Sequence, residues 1–154
     1  MAVQEALGRL DRADCDGILA GVWRDECVFL YAERVAAAGN AAAGFAACED
    51  TSFGRHCTYH LIREGARAVL ERPLAEAAVA TDAYAGLRLA PDAERLFWQT
   101  WFRERMGRNQ PVDPTDCGAL PRGVDTCRQG ARDTVELSLR GLARAKGTRF
   151  CEEP

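Results

Sequence analysis

Residues 15–57 read CDGILAGVWRDECVFLYAERVAAAGNAAAGFAACEDTSFGRHC, and two features of this stretch decide the fold: cysteines in close pairs and apolar residues returning at helical spacing. Over 24–38, Cys27, Leu30, Tyr31 and Val35 fall at i, i+3, i+4 and i+8, one stripe of an amphipathic helix that ends at Gly39-Asn40. Over 53–70, Phe53, Cys57, His60, Leu61 and Ala68 take one side and Arg55, Arg63 and Arg67 lie elsewhere, which predicts a second long helix. A shorter candidate helix precedes each, over 13–22 and 40–48. The order is short helix, turn, long helix, twice.

The chain has seven cysteines, and six fall into pairs: Cys15 with Cys27, Cys48 with Cys57, and Cys117 with Cys127. Cys151 stands alone near the carboxyl end. There is no Cys-x2-Cys, the marker of thioredoxin-type, zinc-ribbon and c-type haem sites, so disulfides are the leading reading, with free core thiols and metal thiolates as the others. A cysteine near the end of one helix and another in the first turn of the next can approach to the Cα separation of roughly 4.4–6.8 Å that a disulfide needs. Each bridge then staples one hairpin, and a closed loop of this size stabilises by roughly 3 kcal/mol in the chain-entropy model. This pairing is one of several. Any one of the seven cysteines can stand aside while the other six pair in 15 ways, 105 arrangements in all.

Composition agrees with helix. Among 154 residues there are 27 alanines and two serines, with a net charge of −3, as in a single soluble globular domain. Nineteen of the 20 basic residues are arginine, interspersed with 23 acids, so no nucleic-acid footprint is visible. The longest uncharged stretches are too short for a membrane span of roughly 20 apolar residues. The amino terminus lacks the pattern of a secretory signal, as the mature form of an exported protein also would.

Farther on, helices are predicted over 74–80, over 91–106 with Pro91 at the first helical position, and over 126–146 with Gly147 as cap. The helix over 91–106 carries Phe97, Trp98, Trp101 and Phe102 as one broad face beside Arg95, Arg103 and Arg105. These rings read as the main core contribution or, in a sharper reading, as a binding face made by Phe97, Trp98, Trp101 and Arg103. Residues 109–116, NQPVDPTD, read as a linker. It divides a helical hairpin domain over 1–108 from a cysteine-tied hairpin over 117–154, packed back on the first part. The third cysteine pair, CGALPRGVDTC, echoes CDGILAGVWRDEC in its early Leu or Ile, its Gly-Val and its Asp two before the second cysteine.

The sequence has only two histidines, His56 and His60, which are four apart and so on one helix face, able to chelate zinc or copper. Such a site needs outside donors, for which Glu26 and Glu33 on the neighbouring helix are the candidates. Serine-nucleophile, phosphate-loop and di-iron motifs are missing from the sequence. Cys151 offers a bond to an unpaired partner, a link between two chains, or a reactive thiol.

The run of cysteine-tied helix hairpins, about 30 to 33 residues apart over 13–70 with a third unit at 117–146, resembles the disulfide-stapled, tetratricopeptide-like repeats of secreted bacterial proteins. That resemblance implies helical solenoids for protein recognition. Cys117-x9-Cys127 also resembles one half of a twin Cys-x9-Cys helical hairpin protein. The expectation is therefore an all-α fold of antiparallel helical hairpins, an irregular bundle or short solenoid stapled by disulfides. Its expected role is a non-enzymatic binding or scaffold protein, periplasmic or extracellular, without a cofactor and with a protein partner. The alternatives are a metal-binding protein using His56 and His60 and a thiol-redox protein using Cys151.

Overall fold

A computed structural model describes residues 11–87 and 90–145, with side chains through 141. Among these residues there are α-helices and 3-10 turns and no strand. The chain divides into two compact units, one through Gly65 and one from Ala66 onward.

In the first unit, Asp11 caps α1 (Arg12–Asp16), and its backbone N–H donates to the Asp14 carboxylate at 2.7 Å. The short helix stops at Asp16, six residues before the predicted end at 22. Gly17 occupies the C-cap, and residues 17–21 form a bend in place of helix. The long α2 (Val22–Ala37) begins straight after Gly21. Asn40 then caps α3 (Ala41–Glu49), its side-chain oxygen accepting from the Ala43 N–H at 3.2 Å. After a turn comes α4 (Gly54–Ala68).

The buried side of α2 is not the predicted stripe. Val28 and Ala32 are fully buried with Asp25 beside them, whereas Cys27 and Tyr31 are half-buried and Leu30 is exposed. The reason is the neighbour: α3 packs on α2 through its own small residues, and Gly44 faces the Ala32 carbonyl and the Ala36 methyl. An alanine-rich helix approaches closely only where its partner is also small. Phe29 closes the other flank, with ring centroids 6.1 Å from Phe53 and 4.9 Å from His60.

The second unit begins with the last turn of α4 and continues through α5 (Leu74–Ala80), a 3-10 turn at Thr81–Tyr84, α6 (Ala90–Gly107), a 3-10 turn at Pro114–Ala119 and α7 (Val124–Ala145). Its core is the aromatic face of α6. Phe97, Trp98, Trp101 and Phe102 are each at most 3% exposed. Trp98 makes edge-to-face contacts with Phe97 at 5.1 Å and Trp101 at 5.8 Å. The Trp101 indole N–H donates to the Val69 carbonyl at 3.3 Å. Across α6 lies α7, where a Cβ on Gly130 would stand 2.6 Å from the Trp98 Cβ, so only glycine permits this crossing. The Thr134 hydroxyl donates nearby, 3.0 Å from the Gln99 carbonyl and 2.8 Å from that of Gly130. Residues 109–116 run inside this unit, joining α6 to the second 3-10 turn.

Among the described residues there are three disulfides, Cys15–Cys27, Cys48–Cys57 and Cys117–Cys127, with Cα separations of 5.5, 5.4 and 5.9 Å. The first ties α1 to α2, the second α3 to α4, and the third the 3-10 turn to α7. No described helix is long and apolar enough to cross a membrane.

Candidate binding surface

Among the described residues of the first unit, the bend between α1 and α2 and the start of α2 present the most exposed apolar surface. Leu19 is 91% exposed, Trp23 77% and Val22 61%, and Ile18 and Leu30 are each 37% exposed. Apolar residues scattered singly need no explanation, but these cluster within one disulfide loop and the helix that leaves it. Trp23 and Leu30, seven residues apart on α2, lie within roughly 20° of one another around the helix. The Cys15–Cys27 bond sits at the base of this surface, with Cys15 fully buried and Cys27 half-buried.

The frame around it is polar and well tied. Arg12 bridges Asp16 at 3.4 Å and Asp50 at 3.0 Å, and Arg24 pairs with Asp16 at 3.5 Å. From the far side of α2, Asp25 accepts from the Ser52 backbone N–H at 3.0 Å and from the Ser52 hydroxyl. Those two bonds hold the Asp25 carboxyl below its ordinary range against the opposing effect of burial. Together they lock the bend against the turn between α3 and α4. The exposed apolar residues therefore stand on a fixed support.

The other predicted site residues fall elsewhere. His60 Nε2 meets Glu33 Oε1 at 3.0 Å, so that pair forms across α2 and α4. His56 and Glu26 are exposed and do not join it. Among the described residues no group of three or more His, Cys, Asp or Glu is gathered in a way that would hold a metal ion. The aromatic binding face is corrected: Phe97, Trp98 and Trp101 are core, because a small unit with few large side chains buries its rings first, and only Arg103 is exposed. Beside them an open groove of about 530 Å³ runs along Pro73, Trp101, Arg105 and Pro111. Its guanidinium is engaged, since Arg105 donates to the Leu70 carbonyl at 3.3 Å and lies 4.5 Å from the Trp101 ring centre. Cys151 lies outside the described residues.

Sequence reasoning missed Ile18, Leu19 and Val22 because residues 13–22 read as continuous helix, and Trp23 because it fell between that helix and the one predicted over 24–38. The signal that marks them is Gly17 and Gly21 flanking Ile-Leu-Ala inside a short cysteine loop, too small a ring to fold onto its own core. Comparison with known proteins finds no matching family model, no matching curated protein and no matching solved structure.

Proposed function

We propose that this protein is a non-enzymatic, disulfide-stapled helical binding or scaffold protein of an oxidising compartment, the periplasm or the extracellular space. The observation that carries the reading is the Cys15–Cys27 bend, which holds Leu19 and Trp23 in solvent on a covalently braced support. Rigid presentation of a tryptophan and aliphatic neighbours lowers the ordering cost of association and is how protein-binding anchors are built. Three intramolecular bridges suit a compartment where thiols are oxidised. The stapled hairpins are then variations of one disulfide-tied helical repeat.

Photo-crosslinking tests this. A photoreactive amino acid at position 19, and in a separate protein at position 103, is activated in cells that export the chain. Discrete protein adducts from position 19 and none from the exposed Arg103 position are expected. Equal smears from both positions, or seven alkylatable thiols in the exported protein, would overturn it.

A further inference from the structure

Charge is unevenly spread around the exposed bend. Segments 11–31 and 49–55 hold seven carboxylates and three arginines, a net charge of −4 in a chain whose total is −3. The exposed acids are Asp11, Asp14 and Asp16 at α1, Glu26 on α2, and Glu49 and Asp50 at the end of α3, while Asp25 is buried on the far side of α2. Their proximity is direct: Arg12 and Arg24 both reach Asp16, Arg12 also reaches Asp50, and Asp25 holds Ser52. Arg12 and Arg24 are held in these ion pairs, and Arg55 lies 5.7 Å from the Tyr59 ring centre. Glu26 is exposed and shares the solvent side of α2 with Trp23 and Leu30, three and four residues away. It has no hydrogen-bond or ion-pair partner among the described residues.

We infer that the Leu19–Trp23–Leu30 surface docks a basic, apolar-anchored peptide segment of another protein, with apolar side chains covering Leu19 and Trp23 and lysines or arginines facing Glu26 and the exposed acids of segments 11–16 and 49–50. This rests on the binding reading above and names its partner class. Two other occupants are disfavoured by the same charge. A second copy would bring one net-acidic surface against another, and an anionic membrane would repel the acids as the apolar residues approached. A basic segment alone gains from both the apolar area and the surrounding field.

The test uses the full, oxidised chain and two synthetic 18-residue amphipathic peptides of the same leucine pattern, one with lysine and one with glutamate at the polar positions. Trp23 fluorescence and calorimetry report binding. Sedimentation of the protein alone and flotation with vesicles containing phosphatidylglycerol report the rival occupants. The lysine peptide is expected to bind at least 10-fold tighter than the glutamate peptide, to weaken as salt rises, and to lose about 10-fold in affinity with the Leu19→Ser/Trp23→Ala double variant. Glu26→Lys, which leaves the apolar residues in place, is expected to weaken it by a smaller factor. Unchanged circular dichroism of the variants shows that the fold is intact. Equal binding of the two peptides, or equal binding by the double variant, overturns the proposal. Self-association or vesicle flotation that the double variant abolishes, without lysine-peptide binding, overturns the partner class and leaves the binding reading standing. Failure of every probe together with absence of crosslinks from position 19 removes both.

Discussion

The loops closed by Cys15–Cys27 and Cys117–Cys127 share a local plan and end in opposite environments. In each, a glycine with positive φ, 139° at Gly21 and 67° at Gly123, turns the chain, and a long helix starts at the next residue, a valine. In each, a backbone bond closes the first turn on that glycine, from the Asp25 N–H at 3.1 Å and from the Cys127 N–H at 2.9 Å. Yet Leu120 is 6% exposed and both cysteines of the second loop are fully buried, whereas Leu19 is 91% exposed and Cys27 only half-buried. The second loop has α6 beside its helix: the Thr126 hydroxyl reaches Glu94 at 3.0 Å, and Gly130 admits the Trp98 backbone. Among the described residues of the first unit, no helix covers Leu19 in this way. A disulfide loop therefore fixes the shape of a turn, and the helix packed against it decides whether its apolar residues become core or surface.

Removing a ring beside each loop tests the difference most strongly. Trp98→Ala should cost about 3–5 kcal/mol of unfolding free energy in denaturant melts, since the cavity it leaves is fully enclosed; a cost below 1 kcal/mol would mean that α6 is not the centre of its unit. Next comes the staple itself. Replacing Cys117 and Cys127 by serine should cost about 2–4 kcal/mol. Under limiting reductant, mass spectrometry of alkylated protein should find Cys15–Cys27 opened before Cys117–Cys127, because the Cys27 side has access and the buried pair has none. The reverse order would say that burial does not govern these bonds. Gly130→Ala should cost about 1–3 kcal/mol, as a methyl group cannot enter the α6–α7 crossing without moving backbone.

Acid sharpens the same contrast. The Ser52 bonds lower the Asp25 pKa in the folded protein. The stability they add is complete above about pH 4 and is lost as pH falls toward the folded value. Asp25→Asn should remove this acid-sensitive part, making the stability curve flatter below pH 4; an unaltered curve would show that Asp25 does not brace the bend. The smallest effect is expected from Trp23→Ala, within about 0.5 kcal/mol of the parent, for the ring is exposed. Equal losses from Trp23→Ala and Trp98→Ala would erase the difference between the two loops.

Much of the architecture was legible in local sequence. Helical periodicity, Asn40 before an alanine run, and Pro91 opening an aromatic stretch all act within a few residues, and so does the closeness of each cysteine to its partner. The candidate surface was far less legible. In α2 the stripe Cys27, Leu30, Tyr31 and Val35 and the row Asp25, Val28 and Ala32 are both helical faces, and periodicity cannot rank them. The pairing of His60 with Glu33, without His56 or Glu26, likewise depends on how α2 and α4 are rotated toward one another.

From sequence alone came an all-α chain of hairpins with six cysteines spaced closely enough to pair, because propensity, capping and loop closure depend on neighbours along the chain, while the pairing itself is a property of the folded chain. Only the tertiary structure decided which face of each helix is covered. That choice follows from side chains far apart in sequence competing for the same enclosed volume: the small residues of α3 drew the Val28 and Ala32 side of α2 inward, the rings of α6 took the core of the second unit, and Leu19 and Trp23 were left in solvent.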